Sequence, residues 1–208
     1  VVNAAEGEPG SFKDRTLLRR NPYRIIEGAL LAARAVGTDQ VVIATKYSFA
    51  PERRRLEQAL AELERADWLA GFHVRIALGP DAYLFGEETG LLEVVEGRQP
   101  FPRVTPPWRR GLDEPPGSDG QTARVALATS EASNAAPALV NNVETFANVA
   151  LIVRHGPAWF RELGTPDSPG TIVCTVVGDV RRSGVAECAM GTPLRALIDE
   201  CSGGPSDG

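Results

Sequence analysis

The chain has 208 residues, 43% hydrophobic and 24% charged, the composition of an ordinary folded protein with a core of its own. Lys and Arg number 22 against 27 Asp and Glu, so the net charge of −5 gives no global positive field to draw nucleic acid or an anionic membrane surface. No apolar run approaches the ~20 residues of a membrane-spanning helix and no charged-then-apolar leader opens the chain; the expectation is a soluble, cytoplasmic protein with no nucleic-acid partner and no direct membrane insertion.

Val1-Val2 reads as the end of a strand running into a loop over 3–11, and a start at Val inside an apolar stretch reads as a piece of a longer protein. Asn21-Pro22 supplies an N-cap with proline at the first helical position, and Ile25, Ile26, Ala29, Leu30 and Ala33 recur at helical spacing until Gly37. Val41-Val42-Ile43-Ala44 is the continuous β-branched run of a strand covered on both faces. Ser48 and Pro51 open a second helix with an apolar stripe of Leu56, Ala59, Leu60 and Leu63, and Arg53-Arg54-Arg55 are expected on its solvated face. Val74, Ile76 and Leu78 alternate as a strand does, Gly79-Pro80-Asp81 ends it, and a third helix is expected from near Gly86 to Gly97. Strands and helices in alternation with short connections predict right-handed βαβ units and an open, mostly parallel, Rossmann-like α/β sheet. Ligands of such sheets bind outside the carboxyl ends of the strands, here the loops 3–11, 45–50 and 79–88.

From 100 to about 137 the chain is rich in Pro, Gly, Ser and Ala, with Pro106-Pro107 and Pro115-Pro116, and reads as a crossing segment or surface insertion. Asn141-Asn142 then caps a helix carrying Val143, Phe146, Val149, Ala150 and Val153, which ends near His155-Gly156. Beyond Gly170, Thr171 to Val177 is strongly β-forming, Val185 to Cys188 is its candidate hairpin partner, and Thr192-Pro193 starts a helix, so residues 170–208 form a second, small α+β unit. Cys174, Cys188 and Cys201 lack C-x-x-C spacing and are expected as buried thiols, not as zinc or iron–sulfur ligands. His73 and His155 have no partner pattern and read as structural.

Four segments carry the chemistry: Asn3-Ala4-Ala5-Glu6-Gly7-Glu8-Pro9-Gly10 with Phe12-Lys13-Asp14-Arg15 after it, Ala82-Tyr83-Leu84-Phe85-Gly86-Glu87-Glu88-Thr89, Pro106-Pro107-Trp108, and Val140-Asn141-Asn142-Val143-Glu144-Thr145. In this order and spacing they resemble the FMN- and NADH-binding core of the flavoprotein subunit of NADH dehydrogenase, respiratory complex I, shared with NAD-reducing hydrogenases and NAD-dependent formate dehydrogenases. The resemblance covers residues 1 to about 165. From Gly170, with Gly191-Thr192-Pro193-Leu194, the chain resembles the start of the β-grasp-like (SLBB) domain that follows in that family.

The resemblance implies that FMN accepts a hydride from NADH and passes electrons to a 4Fe–4S cluster on a part of the parent protein outside this chain, and onward to other iron–sulfur subunits. It places the family's glycine-rich FMN phosphate loop before Val1 and no metal ligand or catalytic nucleophile within residues 1–208. Asn3, Asn141 and Asn142, beside Val140, would bond polar atoms of FMN; Tyr83 and the Gly86-Glu87 backbone would flank the ring and ribityl chain; Glu87 and Glu88 would approach the nicotinamide. Glu6 and Glu8 would line the cleft for the NADH riboses, where a carboxylate accepts from a 2′-hydroxyl and repels a 2′-phosphate. Trp108 stands where the family stacks an aromatic on adenine. Each has a plainer reading beside it: helix capping for Asn141-Asn142, packing for Tyr83, a solvated acidic loop for Glu6 and Glu8, first-turn charges for Glu87 and Glu88, and cover of a domain edge for Trp108. Ala5 stands where the family usually has Asp, and Phe85 where it has a small or sulfur residue; both predict weaker FMN binding. A second reading, a non-catalytic paralogue acting as an assembly or docking module, draws on Ala5.

Overall fold

The computed structural model describes residues 1–112 and 135–206; Pro115-Pro116 lie outside them. Strands β1 (Val2–Ala4), β2 (Gln40–Lys46), β3 (His73–Gly79) and β4 (Asn141–Asn142) form an all-parallel, four-stranded sheet in the order β3-β2-β1-β4. The chain leaves β1 outward through β2 to β3 and then returns to the other side of β1 as β4. The carboxyl ends of β1 and β4 therefore bound a topological switch point, the place where open α/β sheets form a ligand crevice.

Period-two alternation sorts the sheet into two cores. Val2, Ala4, Val41 and Ile43 face α2 (Pro22–Val36) and α5 (Val143–His155), with Leu18 of α1 (Lys13–Arg20) and Leu56 of α3 (Ala50–Arg65). Ala5, Val42, Ala44 and Ala77 face the other way, onto Phe85 and onto Leu91 of α4 (Glu88–Val95). Two glycines permit the close approaches. A Cβ on Gly28 would lie 1.8 Å from the Phe146 carbonyl oxygen, so α2 and α5 meet backbone to backbone there; a Cβ on Gly79 would lie 2.3 Å from the Phe85 ring. Phe85 is thereby fully buried, and its bulk fills core against β3 and does not enter the crevice.

Several local expectations are corrected. Helix α1 was not legible because its cap is supplied from outside: Phe12 precedes it and makes no side-chain cap bond. Helix α3 follows Phe49, not Ser48, and of Arg53, Arg54 and Arg55 only Arg54 is exposed; Arg55 stacks over the Tyr23 ring at 4.9 Å, while Glu52 of the same turn is buried against Arg19. The helix expected from Gly86 divides into a 3₁₀ turn, Tyr83–Gly86, and α4. A short α6 (Pro157–Phe160) follows α5.

Strands β5 (Thr171–Val176) and β6 (Gly184–Ala189) form the antiparallel hairpin on which α7 (Leu194–Ser202) packs. The three cysteines are half-buried rather than buried, and Cys174 and Cys188 share one face of the hairpin through the pairs Cys174↔Ala186 and Ile172↔Cys188. The hairpin is tied to the main sheet by the Val173 N–H, which donates to Glu144 Oε1 (2.7 Å), and the Phe12 N–H, which donates to Thr175 Oγ1 (2.9 Å). Among the described residues no helix is long and apolar enough to cross a membrane.

Candidate functional site

After β1 the chain turns at Glu6, whose φ of 26° is rare for a residue with a Cβ. The turn sends its carboxylate onto the open end of α1. Oε1 accepts from the Ser11 hydroxyl (3.0 Å) and the Asp14 N–H (2.9 Å), and Oε2 from the Arg15 N–H (3.3 Å) and Arg15 Nε (2.8 Å). These bonds satisfy amide groups that a helix N-terminus leaves without partners. Burial alone would raise the carboxyl; the bonds from Arg15, Asp14 and Ser11 outweigh it and hold Glu6 below the usual carboxylate range. With its side chain only 2% exposed, Glu6 is closed off inside the fold, a placement that neither an open ribose cleft nor a solvated loop describes.

The remaining residues of the first loop meet the loop after β3. Asn3 donates from Nδ2 to the Gly86 carbonyl (2.8 Å) and accepts at Oδ1 from the Ala5 N–H (3.2 Å). Gly7 lies so near Tyr83 that a Cβ there would sit 3.2 Å from the Tyr83 carbonyl oxygen, and the exposed Tyr83 hydroxyl donates to Glu8 Oε1 (2.6 Å). On the other side of β1, Asn142 pairs with Asn3 in the parallel register and caps α5 by accepting from the Glu144 N–H (2.9 Å). Its Oδ1 also accepts from Lys13 Nζ (2.9 Å) and its Nδ2 donates to the buried Asp14 (2.9 Å). Lys13 further contacts Asp14 (2.7 Å) and Glu144 (3.0 Å); burial opposes its charge, but these carboxylates prevail and raise its pKa. Val140 is buried, and Asn141 is exposed with its N–H donated to the Val1 carbonyl (3.1 Å).

Glu87 is the N-cap of α4, one position before the helix that was expected to include it. Its Oε2 accepts from the Thr89 N–H (3.0 Å), the Thr89 hydroxyl (2.7 Å) and the Gly90 N–H (2.7 Å). Burial works against the ionised form, but these three donors lower the pKa. Glu88 is exposed. Trp108 is 68% exposed on the proline-flanked segment that follows α4.

Thus Asn3 meets Gly86 and Asn142 at the carboxyl end of β1, Glu8 meets Tyr83 beside them, and Glu87 and Asn141 adjoin Gly86 and Asn142 in the chain. The sequence reading missed three neighbours. Lys46, at the end of β2, is buried, and its Nζ contacts the Glu6 carbonyl (3.4 Å) and lies over the Phe49 ring at 5.8 Å. A lysine closing an apolar strand was the available signal. Thr89 and Arg103 offered none, because their partners include backbone groups well away in sequence.

What the polar groups have left over decides what they can hold. Asn3 retains one amide N–H and one lone pair, Asn142 one N–H, Glu87 its Oε1, and the Asn141 amide makes no bond among the described residues. Amide edges on both sides of one strand, with the buried Lys46 ammonium against the Glu6 carbonyl of the same loop, fit a planar heteroaromatic with an imide edge and a developing negative charge, which is what a flavin presents.

The parallel sheet, with its strand order turning back beside β1, defines an α/β fold of the nucleotide-binding class. Residues 1–151 match the family described as the Nuo51 FMN-binding domain, and the chain belongs to that family. It is 39% identical over 214 residues to an F-type subunit of the NADH-quinone oxidoreductase of Rhizobium meliloti, an alignment covering 99% of this chain and 46% of that protein. It is 37% identical to the NAD-reducing hydrogenase HoxS subunit alpha of Cupriavidus necator, over 95% of this chain and 31% of that one. A crystal structure of an NAD+-reducing NiFe-hydrogenase in the air-oxidized state superposes with a TM-score of 0.80 at 38% identity, over 99% of this chain and 32% of the other. The chain therefore spans between about a third and about half of these relatives.

Proposed function

We propose that this chain is the flavin- and dinucleotide-binding part of an NADH-oxidising flavoprotein, working in the cytoplasm and passing electrons to iron–sulfur partners. Family membership supports this reading, and the observation that carries it is the meeting of Asn3 with Gly86 and Asn142 at the carboxyl end of β1. FMN, when bound, supplies the hydride-accepting ring. The chain's own residues bind and orient. The spare amide groups of Asn3, Asn141 and Asn142 hold polar edges of the ring, Tyr83 and Gly86 flank it, Glu87 and Glu88 face the nicotinamide, Glu8 a ribose, and Trp108 the adenine. Glu6 acts indirectly, by fixing α1 and hence Lys13 beside Asn142. Residues 170–208 are read as the start of a β-grasp-like unit, and the 4Fe–4S cluster belongs to sequence of the parent protein beyond these residues.

The test uses the full-length parent. FMN titration followed by flavin fluorescence is expected to show binding that Asn141→Ala weakens about tenfold without lowering the unfolding temperature, the loss of one or two bonds at ~1 kcal/mol each. Added NADH is expected to bleach the bound flavin under anaerobic conditions. A parent protein that binds no flavin overturns the proposal and favours the docking-module reading, to which the fully buried, apolar Ala5 belongs.

A further inference from the structure

Thr89 and Arg103 join the head of α4 to the segment 103–111. The Thr89 hydroxyl donates to Glu87 Oε2 (2.7 Å) and accepts from the Arg103 N–H (2.7 Å). Arg103, its side chain only 6% exposed, grips Glu93 of α4 and Glu96, the residue that ends it, with its guanidinium. Nη1 of the same group donates to the carbonyls of Arg110 (3.1 Å) and Gly111 (2.8 Å). One side chain thus holds both ends of the segment 103–111 against α4. Within it, the Pro106 carbonyl accepts from the Arg109 N–H (3.0 Å) and Arg110 N–H (3.1 Å), and the Pro107 carbonyl accepts from the Ala138 N–H (3.0 Å). Trp108 sits on this tied-down loop, mostly in solvent.

A buried, multiply paired arginine is an inefficient way to gain stability, because desolvation offsets most of what the pairing returns. Here it fixes the loop that displays an exposed indole, and Thr89 connects that loop to the carboxylate at the head of α4. A long ligand touching both ends of such a frame gains from preorganisation: once one end is bound, the other meets its partner at high effective concentration.

We propose that Thr89 and Arg103 are positioning residues forming a brace that fixes the spacing between Glu87 and Trp108, so that a reduced nicotinamide adenine dinucleotide is held as a two-point chelate. The inference rests on the reading of this crevice as an NADH site, with nicotinamide toward Glu87 and adenine toward Trp108. The brace acts on the connection between the halves, and its removal weakens the whole dinucleotide while leaving each half-ligand unchanged.

Calorimetry on the full-length parent, with three probes, separates these effects. The probes are ADP-ribose, the mononucleotide of 1,4,5,6-tetrahydronicotinamide, and the corresponding tetrahydro dinucleotide, whose ring, saturated at C5–C6, cannot become aromatic by giving up a hydride. Thr89→Val removes the hydroxyl and keeps the shape; Arg103→Met removes the grip on the loop. Each is expected to weaken the dinucleotide about tenfold and both half-ligands less than twofold, with Thr89→Ser restoring the wild-type value. Equal weakening of whole and halves in Thr89→Val would mean a merely structural role and overturns the brace, as does an unchanged dinucleotide affinity. Trp108→Ala tests the underlying reading separately. Loss of ADP-ribose binding in Trp108→Ala beside an unchanged dinucleotide in Thr89→Val overturns the brace alone; unchanged ADP-ribose binding in Trp108→Ala overturns the adenine assignment and the brace with it.

Discussion

The loops after β1 and β3 each carry a glutamate that caps a helix, yet the two carboxylates end in opposite states. Glu6 uses both oxygens on internal donors, and the Arg15 guanidinium that pairs with it is stacked on the Phe12 and Phe49 rings at 4.2 and 4.8 Å. Glu87 caps α4 through Oε2 alone, and the residue remains exposed. An acidic, glycine-containing loop at the carboxyl edge of a sheet can therefore serve folding or a ligand. The number of internal donors that reach each oxygen decides which, and that number depends on the neighbouring helix.

The largest expected effect follows from the closed state of Glu6. Glu6→Ala leaves two amide groups of α1, the Ser11 hydroxyl and Arg15 Nε without the buried acceptor they share, and is expected to lower stability by roughly 3 kcal/mol in urea unfolding. Glu87→Ala removes an exposed cap and is expected to lower it by only ~1 kcal/mol. Similar losses for the two variants would show that the contrast between the loops is not energetic.

A somewhat smaller effect tests how the loop after β3 is held. Gly79→Ala drives a methyl into the Phe85 ring and is expected to cost about 2 kcal/mol, since overpacking forces backbone or rotamer shifts. In a Phe85→Leu background the same change is expected to cost less than half as much, because the ring it strikes is gone. Additive losses in this double-mutant cycle would show that Phe85 is not what pins the 3₁₀ turn bearing Tyr83.

The pH response of Glu6 is a finer probe of the same contrast. Its folded pKa lies below the ordinary value of 4.5, so the stability it contributes is fully present above that value and is lost as pH falls through the folded pKa. The stability difference between wild type and Glu6→Gln is expected to be flat from about pH 7 to 5 and to shrink below about pH 4.5. A difference that grows on acidification would reverse the assigned direction.

Much of the architecture was legible in the chain. The run Val41 to Ala44 and the alternation at Val74, Ile76 and Leu78 announced the parallel strands, because covered strands must be apolar on both faces and half-covered ones on one. Asn142 was legible as a cap and is one, although the two-residue strand it ends was not. What escaped was whatever depends on partners brought from elsewhere. The cap of α1 lies at Glu6, outside the usual N-cap position, and the grip of Arg103 ends on two backbone carbonyls. No residue-type pattern reports such bonds. The acidic loop itself was visible, but the division of labour between Glu6 and Glu8 was not, because only the fold decides which of two nearby glutamates faces inward.

The smallest expected effect concerns Glu8, the member of that pair left outside. Its Oε1 accepts from the exposed Tyr83 hydroxyl at 2.6 Å, and this bond with the nearby carboxylate charge raises the phenol pKa. An exposed pair of this kind adds little to stability, so Glu8→Gln is expected to leave the unfolding transition nearly unchanged. Its charge matters more to a ligand. In the proposed NADH site the carboxylate stands where a ribose lies, able to accept from a 2′-hydroxyl and to repel a 2′-phosphate. In a hydrated cleft the repulsion between neighbouring charges is on the order of 1 kcal/mol, and salt reduces it further. Glu8→Gln is therefore expected to narrow the ratio of kcat/KM for NADH over NADPH by about three- to fivefold at low ionic strength, and by less at high. Tyr83→Phe keeps the carboxylate and is expected to leave most of that ratio intact. Measurements on the full-length parent at two salt concentrations decide the matter: a ratio unchanged by Glu8→Gln at low salt assigns nucleotide preference to other residues and leaves Glu8 as the anchor of Tyr83.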